Sequence, residues 1–310
     1  MIKVQGLVKK YGDVIAVNNI NFEVEDKDIL GLLGPNGAGK STTINILSGI
    51  ISKNSGKLEI LGKDFHKHKK ELQSYMGLVP QDIVIFEDLT ARENLEYFGS
   101  LYRIKGQELK KQVDETLEFI GLTSVAKKLP KTFSGGMKRR LNIGCAIVHK
   151  PKLIILDEPT VGIDAQSRNH ILGSIKELNA RGTTVIYTSH YMEEIESICN
   201  KILIIDHGNI IESGTKEEIL NKYNAEEKFH ILLNQAPEEG LIKAIQALGG
   251  VISCKVKDSM LEIIAKTAAH ELKYILEAIE KQKYEYYSID MKKNNLEDIF
   301  LQLTGRNLRD

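Results

Sequence analysis

The chain has 310 residues, more than an average single domain, so a large domain with a smaller one beside it is expected. Its 42 Lys and Arg residues balance 42 Asp and Glu residues, which excludes a global basic field that would attract nucleic acid or anionic lipid. The cysteines at 145, 199 and 254 lie far apart in apolar segments and lack metal-ligand spacing, so we expect core thiols in a reducing compartment. With no signal-peptide pattern and no apolar run able to span ~30 Å of hydrocarbon, we expect a cytoplasmic protein that does not itself cross a membrane.

The first part of the chain predicts two kinds of sheet. Apolar and polar residues alternate over 3–12, 14–26 and 56–64, which favours a small antiparallel sheet beside the core. Residues 28–34 are instead almost continuously apolar and predict a buried strand, as do 152–159, 182–190 and 201–208. Because these runs alternate with segments of helical period, we expect an α/β domain with a mainly parallel sheet.

A glycine-rich segment follows the first buried strand and precedes a helical pattern. Gly34, Gly39, Lys40 and Ser41 have the G-x-x-x-x-G-K-S spacing of a P-loop. Such a loop presents backbone N–H groups to phosphate, while Lys40 can reach the β- and γ-phosphates and Ser41 can ligate Mg²⁺. An ordinary glycine turn would give the same letters, so a second signal is needed. The candidate nucleotide-binding residues here are Gly34, Pro35, Asn36, Gly37, Ala38, Gly39, Lys40, Ser41 and Thr42.

Two acidic residues supply that signal at the end of the buried strand over 152–159. Asp157 and Glu158 follow four apolar residues, at the carboxyl end where open α/β sheets bind ligands. Asp157 can hold Mg²⁺ through water, and Glu158 can orient or deprotonate the water that attacks the γ-phosphate. A surface Asp-Glu-Pro turn is the alternative, and a neighbouring P-loop counts against it.

Residues 88–150 predict a helical insertion between two core strands. Within it, Ser134 is expected to cap a helix, and Gly135 and Gly136 to leave backbone N–H groups exposed for a second anion site. A capped core helix without ligand is the alternative. The cations at 138–140 are expected to form a solvated or partner-facing edge.

These segments together resemble the nucleotide-binding subunit of ATP-binding cassette (ABC) transporters, over residues 1 to about 220. The decisive stretch is "FSGGMKRR" at 133–140, which is similar to the ABC signature. The resemblance implies a P-loop NTPase (RecA-like) α/β core with an antiparallel β subdomain and a helical insertion. It also implies that Ser134, Gly135 and Gly136 contact the ATP held by the opposite subunit.

Four more residues are assigned through the resemblance. Gln81 is similar to the glutamine that contacts Mg²⁺ or water and links the nucleotide site to the membrane partner. Asp164 is similar to an aspartate at the subunit interface, and His190 to the histidine that touches the γ-phosphate. Tyr11 is similar to the aromatic residue that stacks on adenine, although a plain hairpin tyrosine explains it equally well.

Some positions depart from the commonest family pattern, although none removes a phosphate-binding or catalytic group. Phe133 and Met137 stand where Leu and Gln are usual, and Ile163 and Ala165 where Leu and Pro are usual. The signature and the ending over 294–305 resemble ABC-2-type exporters, a branch that includes drug-resistance and sodium-efflux systems. A soluble ABC ATPase acting on ribosomes or DNA, and an importer ATPase with a C-terminal regulatory domain, stay open as alternatives.

The pattern changes after residue 222. Strand- and helix-length segments follow in the order βαββαβ, with the second helix over 268–282, and then a last helix, which predicts a ferredoxin-like α+β appendage. We therefore expect an ABC ATPase domain over 1–222, with its helical subdomain at about 88–150, and an accessory domain over 223–310. His66 and His68 lie in a charged segment without further metal ligands, so a solvated surface is expected there.

The resemblance implies an ATPase that uses ATP and Mg²⁺ and works as a head-to-tail homodimer. Lys40, Gln81, Glu158 and His190 would be its catalytic residues, and Ser41, Gln81 and Asp157 its metal-binding residues. A separate transmembrane permease would hold the dimer at the inner face of the membrane, and no nucleic acid would take part. The transported substrate would be selected by that permease.

Overall fold

The computed structural model describes residues 1–223, 226–266, 269–292 and 295–305, which form two compact units. The first unit consists of Met1–Lys216 with the chain end from Leu303, and the second of Glu217–Gln302. Ala268, the predicted start of the second accessory helix, lies outside the described residues.

Strands and helices alternate along most of the chain. From the amino terminus they are β1 (Ile2–Tyr11), β2 (Val14–Val24), β3 (Ile29–Leu33), α1 (Lys40–Leu47), β4 (Ser55–Ile60), β5 (Lys63–Asp64), α2 (Lys69–Gln73), β6 (Met76–Val79), α3 (Ala91–Leu101), α4 (Gly106–Phe119), α5 (Gly135–Ile147), β7 (Leu153–Asp157), α6 (Ala165–Ala180), β8 (Thr184–Thr188), α7 (Met192–Ile198), β9 (Lys201–Asp206) and β10 (Asn209–Thr215). The later elements are α8 (Lys216–Tyr223), β11 (Glu226–Leu233), α9 (Glu239–Gln246), β12 (Val251–Lys257), β13 (Met260–Lys266), α10 (Ala269–Lys281), β14 (Tyr286–Lys292) and α11 (Leu296–Thr304).

A six-stranded sheet in the order β10-β9-β3-β8-β7-β6 positions the candidate site. Its strands are parallel except β10, which is an antiparallel edge strand. Strands β3 and β8 are buried at every residue and β7 at all but its last, as their continuous apolar runs predict. Because parallel strands end at the same edge, the residues after β3, β6, β7 and β8 come together there.

A second sheet and a helical layer complete the first unit. The sheet has the order β2-β1-β4-β5 and is antiparallel, as predicted, and its apolar face shares one core with residues of β3 and β9. Helices α3, α4 and α5 are inserted between β6 and β7. Thr90 and Glu93 form a capping box that fixes the start of α3.

The second unit has a sheet in the order β12-β13-β11-β14, with all neighbours antiparallel. With α9 after β11 and α10 after β13, this is the predicted ferredoxin-like βαββαβ arrangement. Its core includes buried Phe229, Ile263 and Ile275. Cys254 is also buried there, and Cys145 and Cys199 are buried in the first unit, so the expectation of core thiols is confirmed. Within the described ranges, no helix is both long enough and apolar enough to cross a bilayer.

Candidate nucleotide site

The segment between β3 and α1 forms a bare helix N-terminus. Gly39 precedes α1 in the left-handed region, at φ 108°, and no side chain caps the helix. The first N–H groups of a helix lack partners within it, and the helix dipole adds partial positive charge at this end. Ser41 is exposed at the same end. The geometry suits an anion with several oxygen atoms, as the P-loop spacing predicts.

The three glycines of this loop serve different purposes. A Cβ atom on Gly34 would collide with the carbonyl oxygen of Ile205, and one on Gly39 with that of Ala16. Gly37, at φ 78°, has no atom within 4 Å of the place where its Cβ would lie. Gly34 and Gly39 are therefore needed for close backbone packing, and Gly37 provides the open approach for a ligand.

Lys40 lies inside the loop and is only 6 % exposed. Its ammonium donates hydrogen bonds to the carbonyl oxygens of Gly34 at 2.6 Å and Pro35 at 3.0 Å. Burial lowers the pKa of Lys40, while the nearby carboxylates of Glu158 and Asp157 oppose that shift. The cation is thus held beside two acids by backbone carbonyls that phosphate oxygens can replace.

Glu158 is the centre of the acidic part of the site. Its φ of 48° is unusual for a residue with a side chain, and its N–H donates to Oγ1 of Thr188 at 2.9 Å. One carboxylate oxygen lies 2.5 Å from Nε2 of His190, and the other accepts a bond from Nε2 of Gln81 at 3.2 Å. Three residues from separate loops, each predicted to be catalytic, therefore meet at one carboxylate. The negative charge of Glu158 also acts on Lys40, where it opposes the lowering of the pKa by burial.

Asp157 precedes it at the end of β7. Thr188 donates its hydroxyl hydrogen to Oδ1 of Asp157 at 2.7 Å while accepting the Glu158 N–H. Burial raises the pKa of Asp157, and this hydrogen bond opposes the shift. Sequence reasoning missed Thr188, although its place two residues before His190 on β8 is a usable signal.

The donors near the loop suit Mg²⁺ in chemical type. The residues assigned from sequence, Ser41, Asp157 and Gln81, offer oxygen atoms, which Mg²⁺ prefers together with phosphate oxygens and water. No group of three or more His, Cys, Asp or Glu side chains able to hold a metal occurs in the described part of the chain.

The segment resembling the signature forms a second helix N-terminus. Ser134 caps α5 as predicted, its hydroxyl accepting the N–H of Met137 at 3.3 Å. Ser134 and Gly135 are exposed, whereas Gly136 is buried, and the binding of an anion by the N–H groups of the two glycines stays a prediction. A Cβ atom on Gly136 would collide with Ser167, because the starts of α5 and α6 lie close together.

Asp164 caps the helix on the other side of that contact. Its Oδ1 accepts the N–H of Ser167 at 2.9 Å, and this bond lowers the pKa of Asp164. Sequence reasoning assigned Asp164 to a subunit interface and missed this capping role. The spacing Asp-x-x-Ser before a helical pattern was the available signal.

The expectation of a solvated cationic edge over 138–140 is wrong for Arg139, which is 4 % exposed. Its guanidinium donates to the carbonyl oxygens of Pro80 at 2.9 Å and Gln81 at 2.5 Å. Asn142, one turn further along α5, accepts the N–H of Val84 at 3.2 Å. The irregular segment after β6 lacks ladder partners, so α5 side chains satisfy its backbone groups. Gln81 is thereby tied to the helix that Ser134 caps.

Two outlying predictions concern exposed residues. Tyr11, at the end of β1, is 50 % exposed, and the ammonium of Lys9 lies 5.0 Å from its ring centre. Both interpretations of Tyr11, adenine stacking and a hairpin position, therefore stay open. His66 and His68 are exposed, as expected for a solvated segment.

Comparison with known proteins places this geometry in context. The family model described as ABC transporter matches residues 17–161. The linearmycin resistance ATP-binding protein LnrL of Bacillus subtilis is 44 % identical, with the whole of both chains covered. A daunorubicin resistance ATP-binding protein of Streptomyces coeruleorubidus is 31 % identical over 99 % of this chain and 97 % of its own. Nod factor export ATP-binding protein I of Ralstonia nicotianae is 31 % identical over 100 % of this chain and 95 % of its own.

Solved structures show the same fold over about seven-tenths of the chain. An ATP-binding subunit of an ABC transporter has a TM-score of 0.66 and 27 % identity, covering 72 % of this chain and 93 % of that one. A dimeric ATP-binding cassette in a post-hydrolysis state with ADP and Pi has a TM-score of 0.63 and 26 % identity, covering 69 % and 98 %.

Proposed function

The chain belongs to the ABC transporter family, as the ATP-hydrolysing subunit of an exporter, and on this premise we propose how its residues divide the reaction. The bare start of α1 and the ammonium of Lys40 bind the β- and γ-phosphates of ATP. Glu158 is the general base for the attacking water, with Gln81 and His190 holding its carboxylate. The three-way contact at Glu158 is the observation that carries this assignment.

The remaining site residues support binding. Mg²⁺, held by Ser41, by Asp157 through water and by Gln81, would neutralise phosphate charge when bound. Thr188 fixes the acidic pair, because its hydroxyl holds both the Asp157 carboxylate and the Glu158 N–H.

Each chain carries two separate half-sites. Ser134 and Gly135 are exposed on the single chain, and the first turn of α5 itself contains no acidic residue. We propose that this surface covers the ATP bound by a second copy in a head-to-tail homodimer, with Gly136 holding the loop in shape. Asp164 would lie at the same interface.

The exporter assignment extends to partners and location. We propose a nucleotide-binding domain over 1–222, an accessory domain over 223–310 and a separate transmembrane permease. Full-length relatives named for drug resistance or export support a drug-resistance exporter of the ABC-2 type at the inner face of the membrane. They also argue against the importer and ribosome or DNA alternatives.

Replacing Glu158 by Gln tests the assignment. E158Q should bind Mg·ATP normally, lose ~10²–10⁴-fold in turnover, and accumulate as a dimer in light scattering after size exclusion. Glu193→Gln, at an exposed position on α7, is the matched control and should behave as wild type. Normal turnover in E158Q, or a strictly monomeric E158Q saturated with Mg·ATP with and without the permease, would contradict the proposal.

A further inference from the structure

A buried carboxylate with no assigned role lies on α7, four residues after His190. Glu194, on α7, is only 2 % exposed. A carboxylate in such a position is costly unless its oxygen atoms are satisfied. Its contacts therefore indicate what it is for.

One oxygen of Glu194 accepts three hydroxyl hydrogen bonds. The donors are Thr160 at 2.8 Å, Tyr187 at 2.8 Å and Ser189 at 2.5 Å. Thr160 follows Glu158 by two residues, Tyr187 belongs to β8, and Ser189 directly precedes His190. The Glu194 carboxylate therefore connects the segment that follows Glu158 with the segment that precedes His190.

The other oxygen faces α6. It lies 3.4 Å from Nε of Arg168, a distance that gives an ion pair without an aligned hydrogen bond. The N–H of Arg168 donates to the carbonyl oxygen of Asp164 at 2.9 Å, so this arginine is one turn from the interface cap. Its guanidinium also lies 4.4 Å from the ring centre of Tyr191, the residue after His190. Arg168 thus contacts both the carboxylate and the His190 segment.

We propose that Glu194 is a positioning residue that, with Arg168, fixes the His190 segment relative to the start of α6. A continuous set of contacts then links Asp164 to Glu158 through Arg168, Glu194 and Ser189–His190. In the proposed mechanism Glu194 neither binds the nucleotide nor activates the water, and it sets where the imidazole meets the Glu158 carboxylate. The inference rests on the proposed roles of His190 and Glu158.

Glu194→Gln keeps the size and one acceptor oxygen but removes the charge that attracts Arg168. We expect kcat to fall roughly tenfold while Kd for ATP stays within about twofold, because the phosphate-binding loop is not part of the network. Glu193→Gln, the exposed neighbour, is the control and should keep wild-type kcat. Loss of ATP affinity in parallel with kcat would indicate a general structural role and overturn the proposal.

Substitution of Arg168 is a second test of the proposal, because it leaves the three hydroxyl hydrogen bonds to Glu194 in place. Arg168→Met should reproduce the loss in kcat, and Arg168→Lys should recover part of it, because a cation near the carboxylate is kept. The two variants together, R168M with E194Q, should lose little more than either alone. Wild-type kcat in R168M overturns the link to α6 even if E194Q folds poorly.

A cycle with His190→Ala separates positioning from simple stabilisation. If Glu194 acts through His190, adding E194Q to H190A should lower single-turnover hydrolysis by less than about twofold. A full, additional tenfold loss overturns the proposal. Failure of the proposed function is recognised separately, because it requires normal turnover in E158Q, which contains an intact Glu194 network.

Discussion

The starts of α1 and α5 are both built from glycines, yet they are prepared for different tasks. At α1 no side chain caps the helix, and the buried Lys40 and Glu158 lie near it together with the half-buried Asp157. At α5 the hydroxyl of Ser134 already occupies one N–H, and the loop is exposed. The charged groups near the first can take part in phosphoryl transfer, and we propose that the exposed start of the second adds contacts to a nucleotide.

The difference agrees with our proposal that one chain alone is incomplete as an enzyme. Gln81 and His190 both contact the Glu158 carboxylate, whose charge also acts on Lys40 at the start of α1. We propose that the surface at Ser134 acts only when a second copy presents a nucleotide to it. Under this proposal, hydrolysis and the covering of the nucleotide belong to two different helix ends of the same fold.

The largest loss of ATP hydrolysis should come from removing the cation at the start of α1. Lys40→Ala removes the buried cation, so phosphate charge is no longer neutralised, and we expect hydrolysis to fall by at least ~10². ATP affinity measured with a fluorescent analogue should fall with it. Lys57→Ala, at an exposed lysine on β4, is the control and should change neither quantity.

Mixing two inactive chains tests the separation directly. Ser134→Arg should block the surface that covers the nucleotide and leave the phosphate-binding start of α1 intact. K40A should inactivate the start of α1 and leave the surface at Ser134 intact. Each alone should be inactive, but an equal mixture should recover roughly a quarter of wild-type activity, since half the dimers would contain one complete site. No recovery, with mixed dimers demonstrated by differently tagged chains, would show that both half-sites act within one chain.

A smaller effect should follow from loosening α5 from the loop that carries Gln81. Arg139→Gln removes bonds to the carbonyl oxygens of Pro80 and Gln81, and we expect kcat to fall about fivefold with little change in ATP affinity. Arg140→Gln, whose guanidinium instead bonds the carbonyl oxygen of Ile120, is the matched control. If R139Q lowers kcat as much in a Gln81→Ala background, the arginine does not act through Gln81.

The smallest effect concerns stability at the far end of α5. The ring of His149 stacks on that of Tyr102 with centres 3.5 Å apart, and burial lowers the pKa of His149 to about 4. In the unfolded chain His149 becomes protonated near pH 6.5, whereas in the folded chain it stays neutral until about pH 4. The free energy of unfolding therefore decreases as the pH falls from 6.5 toward 4. His149→Gln should therefore reduce the loss between pH 7 and 5 by about 1–2 kcal/mol in urea unfolding. Equal losses in the two proteins would count against this role.

Sequence alone predicted the strands with continuous apolar runs, the P-loop, the acidic pair and the ferredoxin-like order, because local periodicity and spacing dictate them. It also placed Ser134 as a cap. The prediction that Arg139 is solvated was wrong, because a run of three cationic residues gives no local sign that one of them is buried against two backbone carbonyl groups. The binding of phosphate by this loop stays a prediction, and the structure adds a second requirement, because a Cβ atom on Gly34 or Gly39 would collide with the carbonyl oxygen of Ile205 or Ala16.

Tertiary structure decided how distant residues meet. Thr188 and Glu194 are polar residues whose partners come from separate strands and helices. The place of Thr188 before His190 is a local signal, whereas nothing in the sequence around Glu194 indicates a buried network. The parallel sheet brings its strand ends to one edge, and that arrangement joins Gln81, Glu158 and His190 across long sequence distances. The sequence thus determined which chemical groups are present, and the packing of the sheet edge decided which of them touch.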